Sequence, residues 1–151
     1  MIDLKKIPSD KGCYLAGFAD GEGSFMVVIR EKKDYQIGYK VSVCFNVSQK
    51  ESFILSQFKK YLQCGTTRAR KDGVAYYEVN NFSSITGNVI PFFKRYNFLS
   101  ENKKSQFSKF CQVVELMEKG EHLNLKGFEK ILEIRKRMNH GGKSSRKNFK
   151  S

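Results

Sequence analysis

The stretch Leu15-Ala16-Gly17-Phe18-Ala19-Asp20-Gly21-Glu22-Gly23 constrains this chain more than any other, with Ser24-Phe25 opening a strand behind it. From Cys13 to Ala19 the residues are apolar and mostly small, which reads as the last turns of a helix over Gly12 to Ala19. Asp20, Gly21, Glu22 and Gly23 are expected to break that helix and leave two carboxylates at its C-terminal end. That end is the negative pole of the helix dipole, so acids are unfavourable there unless a cation is bound. Ala16 and Gly17 lack bulk, so a second helix can pack closely on their face. The stretch reads as a close-packed helix pair with acids at its tip, poised to hold a metal.

The chain around it is strongly basic. It carries 28 Lys plus Arg against 15 Asp plus Glu, a formal net charge of +13. That excess points to a polyanion partner, most simply nucleic acid, with an anionic membrane surface as the competing reading. No apolar run is long enough for a membrane span, and no basic amphipathic helix dominates. A length of 151 residues suits one domain with a substantial core, expected over 1–138, followed by a Gly-, Ser- and Lys-rich basic tail over 139–151. The tail reads as flexible until it meets a phosphate backbone. Cys13, Cys44, Cys64 and Cys111 are widely spaced with no CxxC pair, so zinc is not expected and the thiols read as reduced. The first eleven residues resemble neither a signal peptide nor a transit peptide. The expectation is an intracellular protein made where it works.

Periodicity orders the rest. Ser24–Glu31 and Ile37–Gln49 read as strands, the second with the clearest period of two in the chain. Tyr39, Val41, Val43, Phe45 and Val47 face one way; Lys40, Ser42, Cys44 and Asn46 face the other. A core face backed by a polar, basic face is what a sheet needs to lie on DNA. Lys50–Leu62 is expected to be a helix with Phe53, Ile54, Phe58 and Leu62 as its core stripe. Lys71-Asp72-Gly73 marks a hairpin between Thr66–Arg70 and Val74–Val79. Ser83–Tyr96 is helical with Pro91 as an interruption, and helices over Lys103–Lys119 and Asn124–Met138 complete the domain.

The stretch Leu15–Gly23 resembles the signature of the LAGLIDADG homing endonucleases, with Gly21-Glu22 where the name-giving motif has Ala-Asp. The resemblance implies an α+β fold of order αββαββα: an antiparallel saddle with helices on one face, plus C-terminal helices. It implies metal-dependent cleavage of double-stranded DNA, with Mg²⁺ or Mn²⁺ and no small-molecule cofactor. By resemblance Glu22 is the catalytic metal ligand, with the Gly21 carbonyl beside it. Gln49 matches a residue that orients active-site water, and Lys103 a basic residue that stabilises the phosphate charge or lowers the pKa of a water; the adjacent Lys104 stays open as the alternative. Asp20 matches the first acid of the motif and is expected to cap the partner's motif helix. Phe53 stands where some dimeric relatives carry another basic residue.

One motif and one acid set imply a homodimer, since cutting both strands needs two sites. Cys13, Ala16, Gly17 and Asp20 are the expected interface. Strand parity, with the saddle that the resemblance implies, places Ser24, Met26, Val28, Arg30, Lys32, Lys40, Ser42, Cys44, Asn46, Thr66, Arg68, Arg70, Tyr76 and Glu78 toward DNA. Arg and Lys can read guanine and Asn can read adenine in the major groove. The leading expectation is an intron-encoded, site-specific endonuclease working in an organelle or a prokaryotic cytoplasm, with no membrane association. The other is a non-cleaving nucleic-acid binder, such as an RNA maturase or a repressor-like relic of the fold.

Overall fold

A computed structural model describes residues 1–138; the expected tail lies outside the described residues. After one 3-10 turn, Leu4–Lys6, the elements run α1 (Ser9–Glu22), β1 (Gly23–Glu31), β2 (Tyr39–Gln49), α2 (Ser52–Leu62), β3 (Thr66–Ala69) and β4 (Ala75–Val79). Then come α3 (Phe82–Ser84), a π-helical turn (Ile85–Val89), α4 (Ile90–Arg95), α5 (Glu101–Glu118) and α6 (Leu125–Met138). The strands form one antiparallel sheet in the order β1-β2-β4-β3. This is the expected α+β order.

Alternation decides which side of the sheet is core. Phe25, Val27 and Ile29 of β1, Val41, Val43, Phe45 and Val47 of β2, and Ala75, Tyr77 and Val79 of β4 are all buried. Phe25 sits at the hub, its ring centroid 4.9 Å from both Phe45 and Phe110 and 5.6 Å from Phe93. Each fully buried side chain of this size contributes roughly 1.5–3 kcal/mol. The layer therefore fixes the sheet rigidly against α5 and leaves its other face open.

Three local readings change. α1 does not break at Ala19 but runs from Ser9 to Glu22, with Pro8 at its N-cap. Pro91 does not interrupt the helical run. The π turn before it widens the spiral, the Ile90 amide reaches back to the Ile85 carbonyl, and the ring takes the start of α4. Phe53 leaves the expected core stripe of α2: it is 72% exposed, and Leu55, Phe58 and Leu62 are the buried residues.

At the open edge of β1, the Arg135 guanidinium of α6 donates to the Val27 carbonyl (2.7 Å). A cationic side chain on a free edge discourages pairing with a foreign strand.

Candidate active site and nucleic-acid interface

The chemistry-bearing residues meet where α1 turns into β1. Glu22 is the last residue of α1 and is exposed; Gly21 is exposed beside it. Gly23 then pairs with Val47, so the end of β2, and with it Gln49, lies next to the tip of the motif helix. Gln49 ends the strand with its side-chain oxygen accepting the Lys50 amide (2.8 Å).

The third partner arrives from far along the chain. Asp20, on the last turn of α1, accepts the amides of Leu99 (3.0 Å) and Ser100 (3.1 Å) and the Ser100 hydroxyl (2.5 Å). Ser100 is the N-cap of α5, and its hydroxyl in turn accepts the Lys103 amide (3.2 Å). The Lys103 ammonium reaches back to the Gly23 carbonyl, with Gln106 as a second partner (3.4 Å). The negative pole of α1 and the positive pole of α5 are thus tied by a carboxylate and an ammonium, each at the end that favours it.

Electrostatics follow from this clamp. Burial alone would raise the Asp20 pKa. The hydrogen bonds from Ser100 and Leu99, with the Lys103 charge, outweigh it and hold the carboxyl below its ordinary 3.8. Burial pushes the Lys103 ammonium below its usual range, only partly opposed by Asp20. Lys104 differs in every respect: it is exposed and pairs with Glu101 (3.5 Å). Geometry therefore separates the two lysines and brings Lys103 to the tip of α1. Among the described residues, no three His, Cys, Asp or Glu side chains gather into a metal cage.

Register unites the outer face of the sheet. Ser24 pairs with Asn46, Met26 with Cys44, Val28 with Ser42 and Arg30 with Lys40. Glu78 lies between Asn46 and Thr66, and Tyr76 between Ser48 and Arg68. The two adjacent tyrosines of β4 take opposite sides: Tyr77 is fully buried and Tyr76 lies on the open face. Ser48, missed earlier, shares that face and follows directly from the alternation of β2.

Two candidates lie beyond the strands. Lys32 follows β1 in the turn, its amide bonded to the Gly38 carbonyl (2.9 Å). Arg70 sits in the hairpin loop, where its guanidinium meets Asp72 (2.9 Å). Cys44 needs correction: it is 8% exposed, covered by longer neighbours on its own face, and so does not present a surface to a base. Burial and the nearby Glu78 charge push its thiol up to about 11.

The proposed interface also changes. Ala16 is 3% exposed and belongs to this chain's own core. Cys13, Gly17 and Gly21 are exposed, and recur every four residues along α1. A side chain added at Gly17 or Gly21 would meet nothing within 4 Å. Asp20 caps α5 of its own chain. Beside the stripe, Tyr14 and Phe53, both exposed, flank a groove of about 480 Å³ between α1 and α2.

Sequence comparison decides the ancestry. The family model described as LAGLIDADG endonuclease matches residues 15–114, from the motif helix through most of α5. The chain belongs to the LAGLIDADG endonuclease family. It is 30% identical to the probable intron-encoded endonuclease 2 of Neurospora crassa, over 97% of this chain but 35% of that protein. The chain thus spans about a third of that relative's length. It is similar to the homing endonuclease I-TnaI, with a TM-score of 0.80 and 32% identity over 87% of this chain and 89% of that one. It also resembles I-SmaMI bound to an uncleaved DNA target in the presence of calcium ions, with a TM-score of 0.82 and 26% identity. That match covers 91% of this chain and 47% of I-SmaMI. The fold of this LAGLIDADG protein is that of homing endonucleases.

Proposed function

We propose that this chain is one half of an intron-encoded, site-specific endonuclease that cuts both strands of a long DNA target. The observation that carries the reading is the convergence of Glu22, Gln49 and Lys103 at one end of a sheet whose open face is polar and basic. Names and DNA-bound states of the relatives support it.

The donors at the tip of α1 are hard oxygens: the exposed Glu22 carboxylate and the Gly21 carbonyl at a helix C-terminus. They suit Mg²⁺ or Mn²⁺, with water and substrate phosphates completing the shell. Such an ion, when bound, activates water and neutralises developing phosphate charge. Lys103, fixed by the Gly23 carbonyl and its N-terminal turn, presents a positive charge toward the phosphate. Gln49 orients water at the opposite side.

One such site cuts one strand, so the working unit is a homodimer. The exposed small-residue stripe on α1 is suited to a two-fold, self-complementary contact. Ten strand residues span roughly 33 Å, so two sheets end to end cover about 66 Å, or about 20 base pairs, read as an approximate palindrome.

The test is a plasmid carrying the joined exon sequence, incubated with Mg²⁺. Wild type is expected to linearise it. Glu22→Gln should bind it with largely unchanged affinity and leave it intact. Mixed dimers of the two should nick far faster than they linearise. Binding without cleavage by wild type across Mg²⁺ and Mn²⁺ would replace this reading with a non-cleaving binder.

A further inference from the structure

We propose, building on the DNA-cleaving reading, that Glu78 reads the exocyclic amino group of a cytosine and so sets one base of the target per subunit. Glu78 lies on the inner strand β4, in a row that crosses all four strands: Ser24, Asn46, Glu78, Thr66. Among the described residues it is the one carboxylate on the open face; its companions there are neutral or cationic. Even so, no Lys or Arg forms an ion pair with it among the described residues. Its partner is the Asn80 side-chain amide, which donates to Oε1 (3.2 Å). Asn46, directly opposite, donates from its amide nitrogen to the Met26 sulfur (3.1 Å) instead. Among the described residues Oε2 has no protein donor, and this oxygen of a half-buried carboxylate faces solvent on the open side of the sheet.

When DNA covers this face and displaces the solvent, a carboxylate left without donors is unfavourable. It is doubly so on a surface that approaches phosphates, which repel it. DNA compensates only where a base offers an N–H in the major groove, and there are two such groups: the N4 amino group of cytosine and the N6 amino group of adenine. Adenine places its N7 acceptor beside the amino group, against the second carboxylate oxygen. Cytosine places a C5–H there, which does not repel. The acceptor-only chemistry of Glu78 therefore selects cytosine.

Removing the charge should move two affinities in opposite directions. Glu78→Gln and Glu78→Ala are to be compared with wild type by selecting binders from a pool of duplexes with randomised sequence, in Ca²⁺, followed by sequencing. Wild type is expected to enrich cytosine at one position per subunit. In both variants that preference should fall by roughly 10-fold or more, while affinity for mixed-sequence DNA rises because a repelled charge is gone. A selected sequence unchanged in both variants, or a uniform loss of affinity for all DNA, would overturn the assignment of Glu78 alone. A folded wild type that selects no sequence would overturn the DNA-recognition reading together with it. Thermal melting of both variants checks that they fold; Gln preserves the size of Glu.

Discussion

Replacing Asp20 tests whether the end of the motif helix is held from within its own chain. Its carboxylate takes two backbone amides and the hydroxyl of the residue that caps α5. Loss of a capping side chain costs about 0.5–2 kcal/mol, and a hydrogen bond to a charged group contributes roughly 1.5–3 kcal/mol. Asp20 is partly exposed, so water replaces some of what is lost, and Asp20→Ala is expected to cost about 2 kcal/mol. For a domain of this size that lowers Tm by about 4–8 °C. Asp20→Asn keeps an acceptor and should cost about half as much. The sign of the pH dependence follows from the direction of the shift. The folded pKa lies below 3.8, so this stabilisation is present above 3.8 and is lost as pH falls through the folded value. Urea melts near pH 7 should therefore separate wild type from Asp20→Asn, and the gap should narrow in melts near pH 3. Equal differences at both pH values would refute the carboxylate's role. A difference that depends on protein concentration would mean that Asp20 acts across a dimer interface after all.

Three further outcomes follow from the same geometry. Lys103→Met should slow cleavage by about 10²–10³-fold without lowering the melting temperature, because burial already disfavours this ammonium; a drop in stability matching the drop in rate would make it a structural residue. Gly17→Leu should leave the fold intact, since its surroundings are open, but shift sedimentation from dimer to monomer; an unchanged dimer would move the interface elsewhere. Gly12→Ala should be the reverse: its new Cβ would stand 2.3 Å from the buried Tyr96 ring, destabilising the monomer by about 1–3 kcal/mol in calorimetry, and a neutral result would show that the ring can move.

Much of this was legible in the residue order, and the exceptions have common causes. The alternation of β2 announced both faces of the sheet, because burial of one face leaves register no freedom. Asp72-Gly73 announced the hairpin, and Gly73 does adopt φ 85°. The family and its fold were carried by nine residues. The motif helix was harder, because it is small or apolar on nearly every side. Nothing in the pattern tells Ala16, which faces the core, from Gly17, which faces out. Its end was misplaced because Asp20 is satisfied by residues 79 and 80 positions away, and no local signal reveals them. Parity placed Cys44 outward correctly but could not show that Met26, Asn46 and Glu78 outreach it. Spacing alone puts Phe53 in the core, whereas the packed ridge of α2 runs through Leu55, Phe58 and Leu62.

The clamp between the motif helix and α5 also sets a schedule. Asp20 waits for Ser100, and Gly23 for Lys103, each 80 residues later in the chain. Synthesis at roughly 5–20 residues per second separates those partners by about 4–16 s. Closing so long a loop is entropically unfavourable until the intervening sheet has formed. During that interval a nascent chain already displays its acidic tip and has no lysine to set beside it. On the proposed reading, translation products that end before Lys103 would carry the signature motif without the lysine that cleavage needs.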